Sequence, residues 1–325
     1  MIQFQYIRAK SPKGAVDALA KDANAQIIAG GTNLVDLMKK GVMSPQKLVD
    51  INNLPLKQIA VANKAIRIGA LALNGDVAEN KLVLQKQPLL AMALNAGASA
   101  QLRNMATVGG NMMQRTRCFY FYEPSLPCNK REPGSGCGAL EGFNRMHAIF
   151  GWSDKCIAVH PSDMSVALTA LDASVLVTGP KGERSIPFVD FHRLPGDTPQ
   201  KDNNLAKGEL IISVDIPDNT FNKHHYLKVR DRASYAFALV SVAAALQVNK
   251  KTITNARLAM GGVAHKPWRL FDAEKALVGK EVSEETFREA ANIAMQGAKG
   301  FEHNSFKLTM GLNTIVQALK TATGI

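Results

Sequence analysis

The stretch "AQIIAGGTNLVDLMKKG" (25–41) commits its part of the chain to one local geometry. An apolar, strand-like run meets a glycine pair, then an Asn and a short segment that stops at Gly41. Glycine turns the chain without a Cβ penalty, Asn starts helices and Gly ends them. The pattern predicts a buried strand, a tight turn, and a short helix over "LVDLMKK" capped by Asn33. Upstream, "FQYIRA" reads as a strand. Ser11 and Pro12 open a helix whose apolar stripe is Val16, Leu19 and Ala20. Downstream, "KLVDIN" reads as another strand. Residues 1–55 are expected to form a small α/β subdomain.

A second unit follows, over 56–222. "IRIGALAL" (66–73) alternates like a strand, Asn74 is the expected cap of a short helix, and "LVLQKQPLLAMALNAGA" predicts a longer one. "PSDMSVALTALDASVLV" reads as a capped helix running into a strand, and "GELIISVDIP" (208–217) as a closing strand. The polar break "DNTFNKHH" (218–225) marks a domain boundary, placed at 222/223. Three strand candidates follow it, "HYLKVRDR", "FALVSVAAALQV" and "ITNARLAMGGV". The helices "SEETFREAANIAMQGAK" and "FKLTMGLNTIVQALKTA" come last. Strands followed by helices predict a small α+β domain over 223–325.

Several function classes are disfavoured. The longest apolar run, "YAFALVSVAAALQV", is too short to span a bilayer and contains Ser241. The N-terminal "MIQFQYIRAKSPKGA" has no apolar h-region, so export would need a signal on another chain. The net charge is +12, but the basic residues are scattered singly or in pairs. With no basic helix face and no aromatic platform, the charge reads as a solvated surface rather than a nucleic-acid site.

Two segments suit a phosphate-bearing ligand, and a third could contact another part of it. Residues Gly30, Gly31, Thr32 and Asn33 lie between a strand and a helix start, where backbone amides point outward and small residues admit a ligand. "ATVGGN" (106–111) repeats the theme with Thr107, Gly109, Gly110 and Asn111. In "HPSDMSVAL" (160–168), Asp163 is either a helix cap or a ligand for a ribose hydroxyl or flavin edge. Neither a G-x-G-x-x-G nor a Walker A pattern is present.

All four cysteines fall between positions 118 and 156, spaced C-x9-C, C-x8-C and C-x18-C in a loop rich in Pro and Gly, 114–157. Three arrangements are open by chemistry. Disulfides suit an exported protein, but no cysteine lies elsewhere to staple the fold. Structural zinc usually uses short C-x2-4-C knuckles, which are missing here. A [4Fe–4S] cluster needs four thiolates and accepts varied spacings. Arg115, Arg117, Lys130 and Arg131 would offset its negative charge.

"IIAGGTNL", "QLRNMATVGGN", "PSDMSVAL" and "GELIISVDIP", in this order and spacing, resemble the FAD-binding subunit of the molybdenum hydroxylases, the family of xanthine dehydrogenases, aldehyde oxidoreductases and carbon monoxide dehydrogenase. "KVRDRASYAFALVSVAA" and "GGVAHKPWR" resemble the C-terminal domain of the periplasmic aldehyde oxidoreductase branch. The resemblance implies an α+β chain: a PCMH-type FAD domain of two α/β subdomains, then a small C-terminal domain with an antiparallel sheet and helices. It implies FAD contacts at Ile27, Ile28, Ala29, Gly30, Gly31, Thr32, Asn33, Leu34, Thr107, Gly110, Asn111 and Asp163, with Lys228 as a basic contact near the flavin. In this branch, unlike most of the family, such a loop is present and its four cysteines hold a [4Fe–4S] cluster; the similar 4-hydroxybenzoyl-CoA reductases also carry a cluster on this subunit. That places the cluster on Cys118, Cys128, Cys137 and Cys156. Expected partners are a small [2Fe–2S] subunit and a large molybdopterin subunit in a heterotrimer, with neither nucleic acid nor membrane insertion involved. Electrons would pass from the small subunit through FAD to an external acceptor. The location implied is periplasmic, by co-export on a partner's twin-arginine signal, with the cytoplasm as the alternative. Competing readings are a stand-alone flavoprotein oxidase, a xanthine dehydrogenase-like complex acting on N-heterocycles, and a zinc-stabilised nucleotide- or nucleic-acid-binding module.

Overall fold

The computed structural model describes residues 1–325. Its first layer is a three-stranded parallel sheet of β1 (Gln5–Arg8), β2 (Ala25–Ile28) and β3 (Lys47–Asp50), in the order β1-β3-β2. Parallel neighbours need crossover connections. The first is the helix Pro12–Lys21, whose cap Ser11 accepts the Gly14 N–H at 3.1 Å. The second is the glycine turn with the helix Leu34–Lys39. Asn33 occupies the cap position but its side chain makes no capping bond, contrary to the sequence expectation.

The second layer is an antiparallel sheet of β4 (Ile59–Ala62), β5 (Ala65–Gly69), β6 (Ser174–Gly179), β7 (Gly182–Pro187) and β8 (Leu210–Pro217), ordered β4-β5-β8-β6-β7. β5 is shorter than "IRIGALAL" suggested. The chain leaves the sheet after Gly69, and Ala70 and Ala72 accept the Gly109 and Val108 N–H groups at 2.8 and 3.0 Å. Those contacts bring the second glycine turn to the sheet edge. Asn74 is not a cap; Leu73 holds that position. The long helix expected over 82–98 is two helices, Lys81–Lys86 and Pro88–Ala96. Gln87 between them sits at φ −136°, ψ 53°, because the residue before a proline avoids helical geometry.

The third layer is an antiparallel sheet of β9 (Lys223–Val229), β10 (Val240–Asn249), β11 (Thr252–Gly261) and β12 (Trp268–Arg269), ordered β12-β11-β10-β9. The helices Phe271–Leu277, Glu284–Ala294 and Phe306–Thr323 pack with it. The first of them was not legible in the sequence, because its cap position is Leu270, which has no capping side chain. Side chains of β10 alternate between two cores. Val240, Val242, Ala244 and Leu246 join these C-terminal helices, whereas Ala243 and Ala245 join a core formed with the helices Pro88–Ala96 and Asp163–Ala170. A strand buried on both faces reads as one continuous apolar run, which is why "FALVSVAAALQV" shows no polar face. No helix is long and apolar enough to cross a membrane.

Candidate functional site

A cleft of about 450 Å³ runs between the first two layers. All eight residues from Ile27 to Leu34 line it, together with Thr107, Gly109, Gly110, Met113, Arg115 and Asp202. The two glycine turns recognised in the sequence therefore face one space.

The glycines there have different physical reasons. A Cβ on Gly30 would lie 2.0 Å from the Met105 carbonyl oxygen, so this glycine lets the second turn press against the first rather than admitting a ligand. Gly31 adopts φ +73°, the left-handed region that glycine enters freely. A Cβ on Gly110 would meet only Thr107 Oγ1, at 3.0 Å, so its small size keeps the cleft floor open. Thr107 caps the helix Val108–Met112 by accepting the Gly110 N–H at 3.2 Å.

Hydrogen-bond donors at the cleft are left over. The backbone N–H groups of Gly30, Gly31, Thr32 and Asn33 make no bond within the chain. Asn33 Oδ1 accepts the Arg115 backbone N–H at 3.1 Å, while its buried Nδ2 has no partner. A buried donor without an acceptor is costly, and Asn33 Nδ2 and the open amides line the same cleft as the apolar walls of Ile27, Leu34, Leu37 and Leu205. An elongated ligand with an anionic middle and flat apolar ends satisfies both features. A dinucleotide such as FAD fits this set of residues.

Asn111, Asp163 and Lys228 stand apart from that cleft. The Ser162 hydroxyl donates to Asn111 Oδ1 at 2.5 Å and also caps the helix Asp163–Ala170, so Ser162, not Asp163, is the cap. Asp163 lines a second cavity of about 220 Å³, with Arg117, Cys118, His147 and Phe237. Its carboxylate accepts Tyr226 Oη and Lys228 Nζ, both at 2.8 Å. Lys228 is 3 % exposed in its side chain and also donates to the Ala96 carbonyl at 3.1 Å. The cationic contact expected of Lys228 is thus turned inward, and the Tyr226 phenol is pushed well up by burial and by Asp163.

The four cysteines are unpaired and line one small cavity with Phe121, Lys130 and Ala158. Cys128 and Cys137 face each other across an antiparallel bridge. Burial, with weaker repulsion from neighbouring thiols, pushes Cys118 up to about 12. It pushes Cys156 up to about 11, although Lys130 pulls the other way. His147 Nε2 lies 3.1 Å from Cys118 Sγ, and the Ala158 N–H points at Cys156 Sγ at 3.5 Å. No three His, Cys, Asp or Glu side chains are closed to the spacing of a single metal ion. Zinc binds sulfur at about 2.3 Å and would need the thiols drawn together. A cluster with its own bridging sulfides takes four thiolates; the four thiols surround one cavity of about 10 Å³, so such a cluster would also need the loop to open around it.

Sequence reasoning missed Asp202, Met113 and Leu205 as cleft residues, and placed Arg115 only near the cysteines. They come from two segments, 113–115 and 202–205, that share no motif, so only the fold assembles them.

Residues 2–219 match the family described as the FAD binding domain in molybdopterin dehydrogenase, and residues 225–320 match the CO dehydrogenase flavoprotein C-terminal domain. The chain is 48 % identical to the aldehyde oxidoreductase FAD-binding subunit PaoB of Escherichia coli, over 99 % of each chain. It is 31 % identical to the glyceraldehyde dehydrogenase medium chain of Sulfolobus acidocaldarius, over 89 % of this chain and 86 % of the relative. Among solved structures it is similar to carbon monoxide dehydrogenase from Hydrogenophaga pseudoflava, in a form lacking the Mo-pyranopterin moiety. There the TM-score is 0.78 at 25 % identity, covering 100 % of this chain and 99 % of the other.

Proposed function

The chain belongs to the FAD-binding subunits of the molybdenum hydroxylase family, and from that premise we propose that it is the FAD- and [4Fe–4S]-containing electron-transfer subunit of a molybdenum-dependent aldehyde oxidoreductase. The observation that carries the FAD assignment is the single cleft shared by residues 27–34, Thr107 and Gly110, with its unsatisfied donors. In this reading the amides of residues 30–33 and Asn33 Nδ2 hold the pyrophosphate, and Gly110 leaves room for it. Bound there, FAD supplies exchange of electrons singly or in pairs. Asn111 fixes the second turn through Ser162. Asp163, in the second cavity, is read as the acidic residue for the flavin edge, with Lys228 acting through it.

Cys118, Cys128, Cys137 and Cys156 are proposed as the ligands of a [4Fe–4S] cluster, which supplies one-electron redox chemistry when bound. Support comes from their shared cavity and from donors facing two of the sulfurs. The chain is read as two domains, 1–222 and 223–325, in a heterotrimer. A small [2Fe–2S] subunit delivers electrons, a large molybdopterin subunit oxidises the aldehyde, and an external acceptor takes the electrons away. The relatives' names, FAD-binding subunit and medium chain, support assembly with other chains. Periplasmic location by export on a partner's signal is part of the proposal. Fractionation of cells in which that signal is deleted checks it, and an unchanged periplasmic pool refutes it.

The visible spectrum of the anaerobically purified protein tests the cofactor content. Flavin bands over a broad iron–sulfur shoulder support the proposal. Flavin bands alone remove the cluster, and a colourless protein removes both.

A further inference from the structure

Asp202 stands between the two candidate cofactor sites. Its Oδ1 accepts Lys130 Nζ at 2.5 Å, and its Oδ2 accepts Arg115 Nε at 2.8 Å. Lys130 follows Cys128 by two residues, lines the cysteine cavity, and is 1 % exposed in its side chain. Its Nζ also donates to the Pro199 carbonyl at 2.7 Å. Arg115 lines the cleft, and its guanidinium covers the Phe121 ring at 4.6 Å. Phe121 packs with Leu37 and Cys128 in a small core of its own. The Arg115 backbone N–H holds Asn33, whose unpartnered Nδ2 is among the cleft's donors.

A continuous set of contacts thus runs from Cys128 through Lys130, Asp202 and Arg115 to Asn33. Burial opposes a charge on Asp202, yet Lys130 and Arg115 hold its carboxyl well below the usual range. A buried lysine needs its anion, so Lys130 ties the cysteine loop to Asp202, beside its second bond to the Pro199 carbonyl. If the loop loosens, Asp202 loses one of its two cations and Arg115 is free to re-pair. The orientation of Asn33 then loses its anchor.

We propose that Asp202 is a positioning residue that couples occupancy of the four-cysteine site to FAD retention in the cleft, through Lys130 on one side and Arg115 on the other. The link rests on the reading of both sites given above. The test is a double-mutant cycle on the intact complex, with Asp202→Asn, Cys156→Ser and the double variant, reading the FAD dissociation constant by flavin fluorescence and iron per complex. Asp202→Asn is expected to weaken FAD about ten-fold at wild-type iron content, within the usual range of coupling between sites. Cys156→Ser is expected to lose cluster iron and to weaken FAD by a similar factor. The double variant is expected to bind FAD no worse than either single one, and Asp202→Glu to recover the affinity. Arg115→Lys keeps a cation and the backbone N–H to Asn33, and is expected to show the same non-additivity if Asp202→Asn folds poorly. Multiplying losses, or wild-type FAD affinity in Asp202→Asn, overturns the link while leaving the two sites standing. Wild-type protein without FAD or cluster iron overturns the reading of the sites and the link with it.

Discussion

Gly30 and Met105 touch backbone to backbone: a Cβ on Gly30 would stand 2.0 Å from the Met105 carbonyl oxygen. The cleft exists because these two turns meet there. Gly30→Ala is therefore expected to push the turns apart and to cost about 1–3 kcal/mol of stability, as overpacking does. Differential scanning calorimetry should show a lowered Tm together with lost flavin. An unchanged Tm would mean that the turns separate freely.

The Lys228–Asp163 pair is buried, with side-chain exposures of 3 % and 8 %. Removing one member of a buried ion pair costs about 3–5 kcal/mol, whereas replacing both by apolar groups costs much less. Lys228→Met should be clearly less stable in urea than Lys228→Met combined with Asp163→Leu. Equal stability of the single and double variants would show that Asp163 finds another partner.

The segments that were legible are those in which one local pattern decides. The Gly-Gly turn after an apolar strand, Ser11 before Pro12, and the two-sided apolar run of β10 all carry their structural reason in neighbouring residues. What was not legible depends on distant partners. Lys228 sits on a strand in an alternating pattern that fits a surface lysine equally well. Only the approach of Asp163, 65 residues away in sequence, makes it a buried one. Asn33 has the composition of a helix cap, but Arg115, 82 residues on, claims its side-chain oxygen. Asp202 lies in a loop with no recognisable motif and gains its meaning from Lys130 and Arg115.

Replacing Cys118, Cys128, Cys137 or Cys156 by Ser, one at a time, should lower cluster iron to a similar extent in each case, because three thiolates rarely hold a [4Fe–4S] centre as four do. Each variant should also become protease-sensitive within 114–157, since a cluster held there would organise its own loop. Iron and acid-labile sulfide analysis after anaerobic purification is the measurement. The proposal predicts about four of each from this subunit in the wild type. None in the wild type would exclude the cluster.

The buried histidines give an acid limit. Burial holds His192 down to about 4 and His265 to about 3. Unfolded, each titrates near 6.5. Between these values the unfolded chain binds more protons than the native one, so stability falls as pH drops from about 6.5 towards 4. Each pKa unit is worth about 1.4 kcal/mol per group. Urea midpoints should decline through this window, and His192→Gln should flatten the decline. A midpoint independent of pH between 6.5 and 4 would contradict the burial of these groups.

The central claim is that the cleft between the two glycine turns holds FAD, and Gly110 is where it can be tested with little disturbance to the fold. Its Cβ would meet only Thr107 Oγ1, at 3.0 Å, and the residue lines the cleft. FAD titration of deflavinated wild type and of Gly110→Ala, followed by flavin fluorescence and paired with calorimetry, reads the claim directly. The account predicts one FAD per wild-type chain, and a dissociation constant raised at least about ten-fold in Gly110→Ala, equivalent to about 1.4 kcal/mol, with Tm unchanged. No binding by the wild type, or equal binding by both proteins, would contradict it.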